Sequence, residues 1–263
     1  MVTKTLKSLN LNTLSGQEVT GLRQEVFRSD IVEQFHEAID TAIVENNKKK
    51  PTRKYIGGSS LGDDCIRKIQ YRFMGVEPDK EKEFNAKTLR IFEFGHNIED
   101  QAAGWIKSAG FDLRTEDKQG EQFGFQIADG QIRGHIDGVL CGGPMSIPYP
   151  MLWECKSAND RKFKEFVRVG VAQANKTYAA QIAIYQAYMD LTENPALFTV
   201  VNKNTSEIHF ELVPFDQALA QKISDRAVQI LTATESSEIL PRISHTREYH
   251  LCKWCEFQNT CWE

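Results

Sequence analysis

Strand-like sequence near the middle of the chain carries an aspartate and, further along, an acid-x-base triplet, in which one residue separates a glutamate from a lysine. This pattern limits how the chain can fold. Asp137 comes first, and Glu154, Cys155 and Lys156 begin seventeen positions after it. Side chains alternate between the two faces of a strand, so Glu154 and Lys156 are predicted to point to one face and Cys155 to the other. A fold that brings Asp137 to the face of Glu154 places two carboxylates and an ammonium group at one point.

These residue types suit the metal-dependent hydrolysis of a phosphodiester. Mg²⁺ and Mn²⁺ prefer oxygen ligands and are commonly held by one or two carboxylates, which makes Asp137 and Glu154 the expected anchors. The ammonium of Lys156 would orient or help to deprotonate a water activated by the ion, and would offset charge on the phosphate. The alternative is a hairpin with ordinary exposed charges, since acid-x-base triplets are common on their own.

Composition sets the outer limits. With 263 residues the chain predicts one large domain or one domain with a sizeable appendage, and 41% hydrophobic residues suffice for a packed core. The net charge of -4 means that any nucleic-acid surface is a local cluster of Lys and Arg. No stretch approaches the roughly 18 apolar residues of a membrane span and residues 1–15 lack the apolar core of a secretory signal, so a cytoplasmic protein is expected. In that reducing setting, cysteines at ligand spacing are better explained as metal or cluster ligands than as disulfides.

The periodicity of apolar residues predicts a small mixed sheet flanked by helices, in the order α-β-β-β-α-β-β-α. Ser29-Asp30 is the expected N-cap of a helix within a helical extension and basic loop over residues 1–54. Asp129-Gly130 predicts a hairpin turn between two strands. Helices are predicted over 89–106, 160–169, 173–191 and 216–231, and strands over 122–128, 131–140, 151–157, 198–202 and 207–213.

Two basic groups are candidates for contact with DNA, although solvated surface is the usual fate of such residues. The first group lies in the loop after the N-terminal helix and consists of Lys48, Lys49, Lys50, Arg53 and Lys54. The second group follows the strand of Glu154 at positions i, i+3 and i+7 of one helix face and consists of Arg161, Lys164 and Arg168. Contacts of this kind bind backbone phosphates without sequence specificity.

Asp137 with Glu154-Cys155-Lys156 resembles the signature of the PD-(D/E)xK nuclease superfamily, and the motifs around it resemble the RecB-like exonuclease branch. Gln181-Ile182-Ala183-Ile184-Tyr185 is similar to the Q-x-x-x-Y motif of that branch and lies downstream of the Glu-x-Lys strand, as in the family. Independently of the family, Gln181 and Tyr185 are four residues apart on a predicted helix and share one face. That face can present an amide and a phenol to DNA or to the active site, or it can be an ordinary half-buried helix surface.

A segment ending at Glu99 resembles the G-x-x-x-His segment whose histidine binds metal in many relatives. Here the equivalent position is Glu99, and because Mg²⁺ prefers oxygen to imidazole, Glu99 is the expected third ligand. His96 competes for this role, but it lies about 300° around the helix from Glu99, which predicts that the two do not bind one ion together. His96 is therefore expected to be structural or to face the substrate.

Cys65, far upstream, and Cys252, Cys255 and Cys261 resemble the one-plus-three arrangement that binds a [4Fe-4S] cluster in nucleases of this branch, including CRISPR-adaptation and AddB-type nucleases. Four thiolates are the number that such a cluster needs. The same cysteines also suit tetrahedral Zn²⁺, and His250 could replace one thiolate. Spacing alone leaves the two metals about even, and the resemblance favours the iron-sulfur cluster.

Metal binding by these four cysteines would close a long loop. Joining Cys65 to Cys252 costs about 4 to 5 kcal/mol in chain entropy, which is comparable with the net stability of a domain. Replacing the cysteines with serine is therefore expected to lose fold and activity together. The remaining cysteines, Cys141 and Cys155, fall in or beside predicted strands and are expected in the core.

The resemblance implies a metal-dependent DNA exonuclease with a restriction-endonuclease-like core of mixed α/β class over residues 55–263. In that reading Glu99, Asp137 and Glu154 hold one or two Mg²⁺ or Mn²⁺ ions, and Gln181 and Tyr185 position the substrate. The implied partners are DNA, as a single strand or a duplex end, and proteins of recombination or CRISPR adaptation. Two alternatives remain open: a structure-specific or flap endonuclease on the same scaffold, and a non-catalytic DNA-binding adaptor with a structural metal site.

Overall fold

The computed structural model describes residues 30–51 and 53–263. The described helices are α1 (Asp30–Lys48), α2 (Ile66–Met74), α3 (Ala86–Ser108), α4 (Asp160–Ala174), α5 (Lys176–Tyr188), α6 (Gln217–Glu235), α7 (His250–Lys253) and α8 (Gln258–Trp262). The described strands are β1 (Ile56–Gly57), β2 (Asp112–Arg114), β3 (Gly124–Ile127), β4 (Ile132–His135), β5 (Gly138–Gly142), β6 (Met151–Ala158), β7 (Ala196–Asn202) and β8 (Ile208–Val213). None of these helices combines the length and the apolar character that a bilayer crossing requires.

The chain divides into two compact units. The first comprises Met1–Lys50 with Phe84–Leu89, and the second comprises Pro51–Glu83 with Arg90–Glu263. All of the described strands belong to the second unit.

In the first unit, α1 forms where the sequence predicts a helix. Ile31, Phe35 and Ile39, which recur at helical spacing along it, are exposed. The predicted N-cap residue Ser29 and the rest of residues 1–29 lie outside the described residues.

The strands form two mixed sheets. The larger has the order β2-β5-β6-β7-β8, in which β6 and β7 run parallel and the other neighbours run antiparallel. The smaller has the order β1-β4-β3, with a parallel β1–β4 pair and an antiparallel β3–β4 pair. Together with the flanking helices, the sheets confirm the predicted mixed α/β class and are consistent with a restriction-endonuclease-like core. The structure divides the strands between two sheets where the sequence predicts one small mixed sheet.

The strand predicted over 131–140 is two strands that belong to different sheets. β4 ends at His135 in the smaller sheet, and β5 begins at Gly138 in the larger one. A Cβ on Gly138 would lie 2.9 Å from the carbonyl oxygen of Arg114, so glycine lets β5 come this close to β2. The alternating pattern runs through both strands, which is why the sequence does not reveal the crossing between them. Asp137 lies in that crossing.

β6 is the central strand of the larger sheet and its first five residues are buried. Leu152 joins a core with Ile184 of α5 and other residues of α4 to α6. Trp153 and Cys155 join a second core with Ile106 of α3. The predicted alternation along this strand is therefore confirmed, and Cys155 lies in the core as expected.

The helices that follow β6 have ends that differ from the predicted ones. Asn159, rather than Asp160, caps α4 by accepting a hydrogen bond from the Lys162 N–H at 2.9 Å. Gly170, with φ of 74° and ψ of 167°, has a non-helical conformation that other residues avoid, so α4 is kinked there and a further turn to Ala174 follows the predicted end at residue 169. Asn175 caps α5 by accepting from two N–H groups of its first turn, so this helix begins later than predicted.

Candidate functional site

Three carboxylates from different elements meet beside one cavity in the second unit, and we refer to them with Lys156 as the carboxylate site. Glu154 lies on β6 and is fully buried. Asp137 Oδ2 accepts a hydrogen bond of 2.8 Å from the N–H of Cys155, so the strand that carries Glu154 also holds Asp137 beside it. Glu99 projects from α3 and is half-buried.

Lys156 lies between the two buried carboxylates. Its Nζ donates a hydrogen bond to Glu154 Oε1 and lies 3.7 Å from Asp137 Oδ2. It also lies 5.5 Å from the ring centroid of Tyr178. Burial acts to lower the pKa of Lys156, but the charges of Glu154 and Asp137 outweigh burial and raise that pKa above its usual range. Lys156 is therefore a permanent positive charge.

Burial and the charge of Asp137 raise the pKa values of Glu154 and Glu99. Burial raises the pKa of Glu154 to about 8, and the charge of Asp137 adds to this effect while Lys156 opposes it. Burial likewise raises the pKa of Glu99 to about 7, again with Asp137 adding and Lys156 opposing. One ammonium group does not compensate three carboxyl groups, so a further cation would displace protons from the site.

The hydrogen bonding of Glu154 tests whether the site suits a metal ion. Oε1 accepts from Lys156 and from Gln181 Nε2, the latter at 2.6 Å. Oε2 is buried and accepts no hydrogen bond from the described residues. Buried acceptors without partners point to an ion or water, and a carboxylate oxygen is the donor type that Mg²⁺ and Mn²⁺ prefer. The residues therefore fit a divalent cation.

The acids do not form a finished metal site in this structure. Among the described residues, no three His, Cys, Asp or Glu side chains stand together as a ready-made ligand group. Lys156 instead supplies the positive charge between Glu154 and Asp137.

Gln181 and Tyr185 share one face of α5, as predicted, and both line the cavity. Gln181 fixes Glu154 through the hydrogen bond described above, so its contact is with a carboxylate. Tyr185 is hydrogen-bonded to Ser59. A Cβ added to Gly58 or Gly134 would lie 2.6 or 2.9 Å from the Tyr185 ring, so these two glycines make room for it.

His96 and Glu99 are neighbours in the structure. His96 Nδ1 lies 3.9 Å from Glu99 Oε2, and both residues line the cavity. The helical angle does not separate them, because a turn of about 300° equals about 60° in the other direction and residues i and i+3 are adjacent on a helix. That the two do not bind one ion together stays a prediction. His96 is largely exposed, so it can reach a bound molecule.

The cavity beside the carboxylate site has a volume of about 770 Å³. Sequence reasoning missed several residues that line it, among them Tyr55, Lys107, Arg133, His135 and Tyr178. A signal for two of them was present, because Arg133 and His135 alternate with Gly134 just before Asp137 and so share one strand face. Tyr55 precedes a strand of two residues, which is too short to leave a pattern.

The basic residues predicted to contact DNA lie in different parts of the structure. Arg53 lines the cavity. Lys48, Lys49 and Lys50 belong to the first unit, and Lys54 is exposed in the second.

The second basic group lies on α4 and is also exposed, but it is not among the described residues that line the cavity. It consists of Arg161, Lys164 and Arg168. Lys164 is already engaged, because its Nζ lies 2.8 Å from Asp160 Oδ2.

The four cysteines of the predicted cluster come from segments that are distant in sequence, and we call Cys65 with residues 250–263 the cysteine region. Burial raises the pKa of Cys252, and the neighbouring Cys65 and Cys261 raise it further. Arg67 Nη1 donates to Cys261 Sγ at 3.6 Å. The backbone N–H of Phe257 donates to Cys255 Sγ at 3.4 Å. Neighbouring sulfurs that accept N–H bonds suit metal-bound thiolates.

Hydrogen bonds that do not involve the thiols also fasten the cysteine region to the domain. The buried Asp79 accepts from Asn259 N at 2.6 Å, from Thr260 N at 3.3 Å and from Thr260 Oγ1 at 3.1 Å. The Asp79 N–H donates to Glu256 O at 2.7 Å. Cys141 lies elsewhere, half-buried on β5.

The chain matches no protein-family model and no curated protein. Several solved structures resemble it at low sequence identity. The alkaline exonuclease LHK-Exo from Laribacter hongkongensis is 14% identical, with a TM-score of 0.48 over 76% of this chain and 93% of that one. Its complex with dAMP is 13% identical, with a TM-score of 0.48 over the same shares of 76% and 93%. The crystal structure of SSO0001 is 13% identical, with a TM-score of 0.45 over 85% of this chain and 94% of that one.

Proposed function

We propose that the protein is a metal-dependent DNA exonuclease that hydrolyses phosphodiester bonds. The observation that carries this proposal is the buried Glu154, whose Oε2 accepts no hydrogen bond from the described residues although Asp137 and Lys156 lie beside it. A buried carboxylate with an open oxygen costs free energy unless it serves a ligand. The adjoining cavity of about 770 Å³ is large enough for a nucleotide-sized ligand.

Asp137, Glu154 and Glu99 would hold one or two Mg²⁺ or Mn²⁺ ions. Their oxygens are the preferred ligand type, and the protons retained on Glu99 and Glu154 are the charge that a cation would replace. When bound, such an ion polarises a phosphoryl oxygen and lowers the pKa of water, so that water can attack phosphorus.

Lys156 would act as a fixed positive charge in this reaction. Because the neighbouring carboxylates raise the pKa of Lys156, it donates hydrogen bonds rather than accepting a proton. It would orient the attacking water and offset the negative charge that develops on the phosphate as the phosphorus–oxygen bond to the leaving group breaks. Gln181 keeps Glu154 in position through its 2.6 Å hydrogen bond, and Tyr185 presents its hydroxyl beside Ser59 at the cavity.

We also propose that Cys65, Cys252, Cys255 and Cys261 bind a [4Fe-4S] cluster in a structural role, with Zn²⁺ as the alternative. The support is the influence of Cys65 and Cys261 on the pKa of Cys252 and the N–H donors on two of the sulfurs. Because no three cysteines of the described residues stand together as a ready-made ligand group, binding would draw the thiols closer. All six cysteines are free, so none of these four is engaged in a disulfide.

Cleavage assays test the activity. We expect the parent to degrade linear DNA with Mg²⁺ or Mn²⁺, and Asp137→Ala and Lys156→Ala to reduce the rate by at least about 100- to 1,000-fold. Asp225→Ala, on the exposed side of α6, is the matched control that keeps the parental rate. Parental rates in the Asp137 and Lys156 variants would contradict the assignment. A circular single strand remains intact with an exonuclease, and its cleavage would identify an endonuclease instead.

A further inference from the structure

One part of the cavity lining is basic and aromatic, and none of the proposed catalytic residues comes from it. It consists of Arg133 and His135 on β4 and Tyr55, which directly precedes β1, and we call it the β4 wall. Arg133 and His135 are two residues apart on one strand, so their side chains share a face. Both are exposed, and all three residues line the cavity.

The guanidinium group of Arg133 is held in one orientation by its neighbours. Its Nε donates to Gly130 O at 2.9 Å, and its guanidinium lies over the Tyr55 ring at 5.2 Å from the centroid. Among the described residues no carboxylate lies within ion-pairing distance of Arg133. A guanidinium that is oriented but not neutralised retains donors for a phosphate.

We propose that the β4 wall binds an unpaired nucleic-acid strand, with Arg133 and His135 contacting backbone phosphates and the Tyr55–Arg133 pair stacking on a base. This inference rests on the proposed nuclease function, because it names the substrate that reaches the same site. A basic groove combined with exposed ring faces is how proteins bind single strands without sequence preference. The two basic groups predicted from sequence to contact DNA supply charge but no aromatic ring.

The size and depth of the site favour an unpaired strand over a duplex. The cavity of about 770 Å³ falls within the range of small-ligand pockets, which run from about 300 to 1,000 Å³. A duplex is far wider, since its major groove alone is about 12 Å across. Glu154 is fully buried beside the lining residues Asp137 and Lys156, and an unpaired strand, which bends more easily than a duplex, approaches it more closely.

Binding measurements on the full chain test this proposal separately from cleavage. The probes are labelled DNA of one sequence as a single strand, as a blunt duplex and as a duplex with an unpaired tail, with Ca²⁺ in place of Mg²⁺. We expect the parent to bind the single strand and the tailed duplex at least about tenfold more tightly than the blunt duplex. Tyr55→Ala and Arg133→Ala should each weaken single-strand binding by about tenfold, and Tyr55→Phe should restore it because the ring is retained.

Phe210→Ala and Lys222→Ala remove an exposed ring and an exposed charge outside the cavity lining and serve as controls, with melting temperatures to confirm folding. The proposal is overturned if the blunt duplex binds as tightly as the single strand, or if Tyr55→Ala binds like the parent. Cleavage of DNA with either of these results would leave the nuclease function standing and reject the β4 wall. Tight, Tyr55-dependent binding without any cleavage would reject the nuclease function and leave the β4 wall standing as a binding site.

Discussion

In the carboxylate site, one strand and its neighbours bring together carboxyl groups that repel one another when charged. In the cysteine region, hydrogen bonds join residues from distant segments, and the acceptor oxygens have donors. Glu154 is buried with an open oxygen, but Asp79 accepts three hydrogen bonds. The first arrangement costs free energy because a buried oxygen lacks a hydrogen-bond donor among the described residues, and the second stabilises the fold because both oxygens of Asp79 have donors. The comparison indicates that the carboxylate site is short of positive charge in the described structure, while hydrogen bonds hold the cysteine region in place.

Among the variants that test this comparison, Cys252→Ser should cause the largest loss of stability. If a cluster joins Cys65 to Cys252, its loss removes a loop closure of about 4 to 5 kcal/mol, and the melting temperature and the activity should fall together. Calorimetry should be combined with visible absorption and with iron, sulfide and zinc analysis of protein purified without oxygen. Brown protein with iron and sulfide identifies the cluster, and colourless protein with zinc identifies the alternative.

Cys141→Ser is the matched control, since this thiol lies on β5 outside the cysteine region. If the parent holds no metal and Cys252→Ser melts at the parental temperature, the four cysteines have no structural role.

Asp79→Ala is expected to have the next largest effect. It leaves three hydrogen-bond donors without an acceptor and should lower the free energy of unfolding by about 3 kcal/mol. Asp79→Asn keeps one acceptor oxygen and should show about half of this loss. The double variant Asp79→Ala with Cys252→Ser tests whether the two residues act together. Because both hold the same segment, the double variant should lose more free energy of unfolding than the sum of the two single losses. Strict additivity would show that the thiols and Asp79 hold the segment independently.

Glu99→Gln should give the smallest change, and it should be a gain. The pKa of Glu99 is raised to about 7 in the folded protein from an ordinary 4.5, so its contribution to stability is complete below pH 4.5 and is lost as the pH rises through about 7. Without divalent ions, the variant should therefore be more stable than the parent at pH 8, by on the order of 1 to 3 kcal/mol, and equal to it near pH 4.5.

Thermal melts at both pH values with a chelator measure this difference. Glu235→Gln at the exposed end of α6 should show no pH-dependent gain. A gain of equal size at both pH values would mean that the benefit of Glu99→Gln does not come from charge repulsion. Added Mg²⁺ should stabilise the parent more than it stabilises Glu99→Gln.

Sequence reasoning succeeds where one element decides the outcome. The alternation along β6 places Glu154 and Lys156 together, and helical spacing places Gln181 and Tyr185 on one face. Both expectations depend on local geometry alone. The roles assigned to these residues stay predictions.

Sequence reasoning fails where the outcome depends on contacts between elements. Nothing in the alternation over 131–140 distinguishes one strand from two strands in different sheets, because the crossing at Asp137 depends on the close approach of Gly138 to β2. Tyr55 could not be found for a similar reason, since its place in the cavity follows from a parallel β1–β4 pairing of two residues. The cysteines were found from their spacing, but the role of Asp79 was hidden because its partners lie about 180 positions away.

A single residue, Ile136, separates the β4 wall from Asp137. Ile136 is fully buried, so this short link is clamped on all sides and has little freedom to bend. A DNA strand bound by Arg133 or His135, as proposed, would therefore be held at a fixed distance from Asp137, which its 2.8 Å hydrogen bond to Cys155 joins to the central strand. In such an arrangement, binding of the substrate and placement of Asp137 would be rigidly connected.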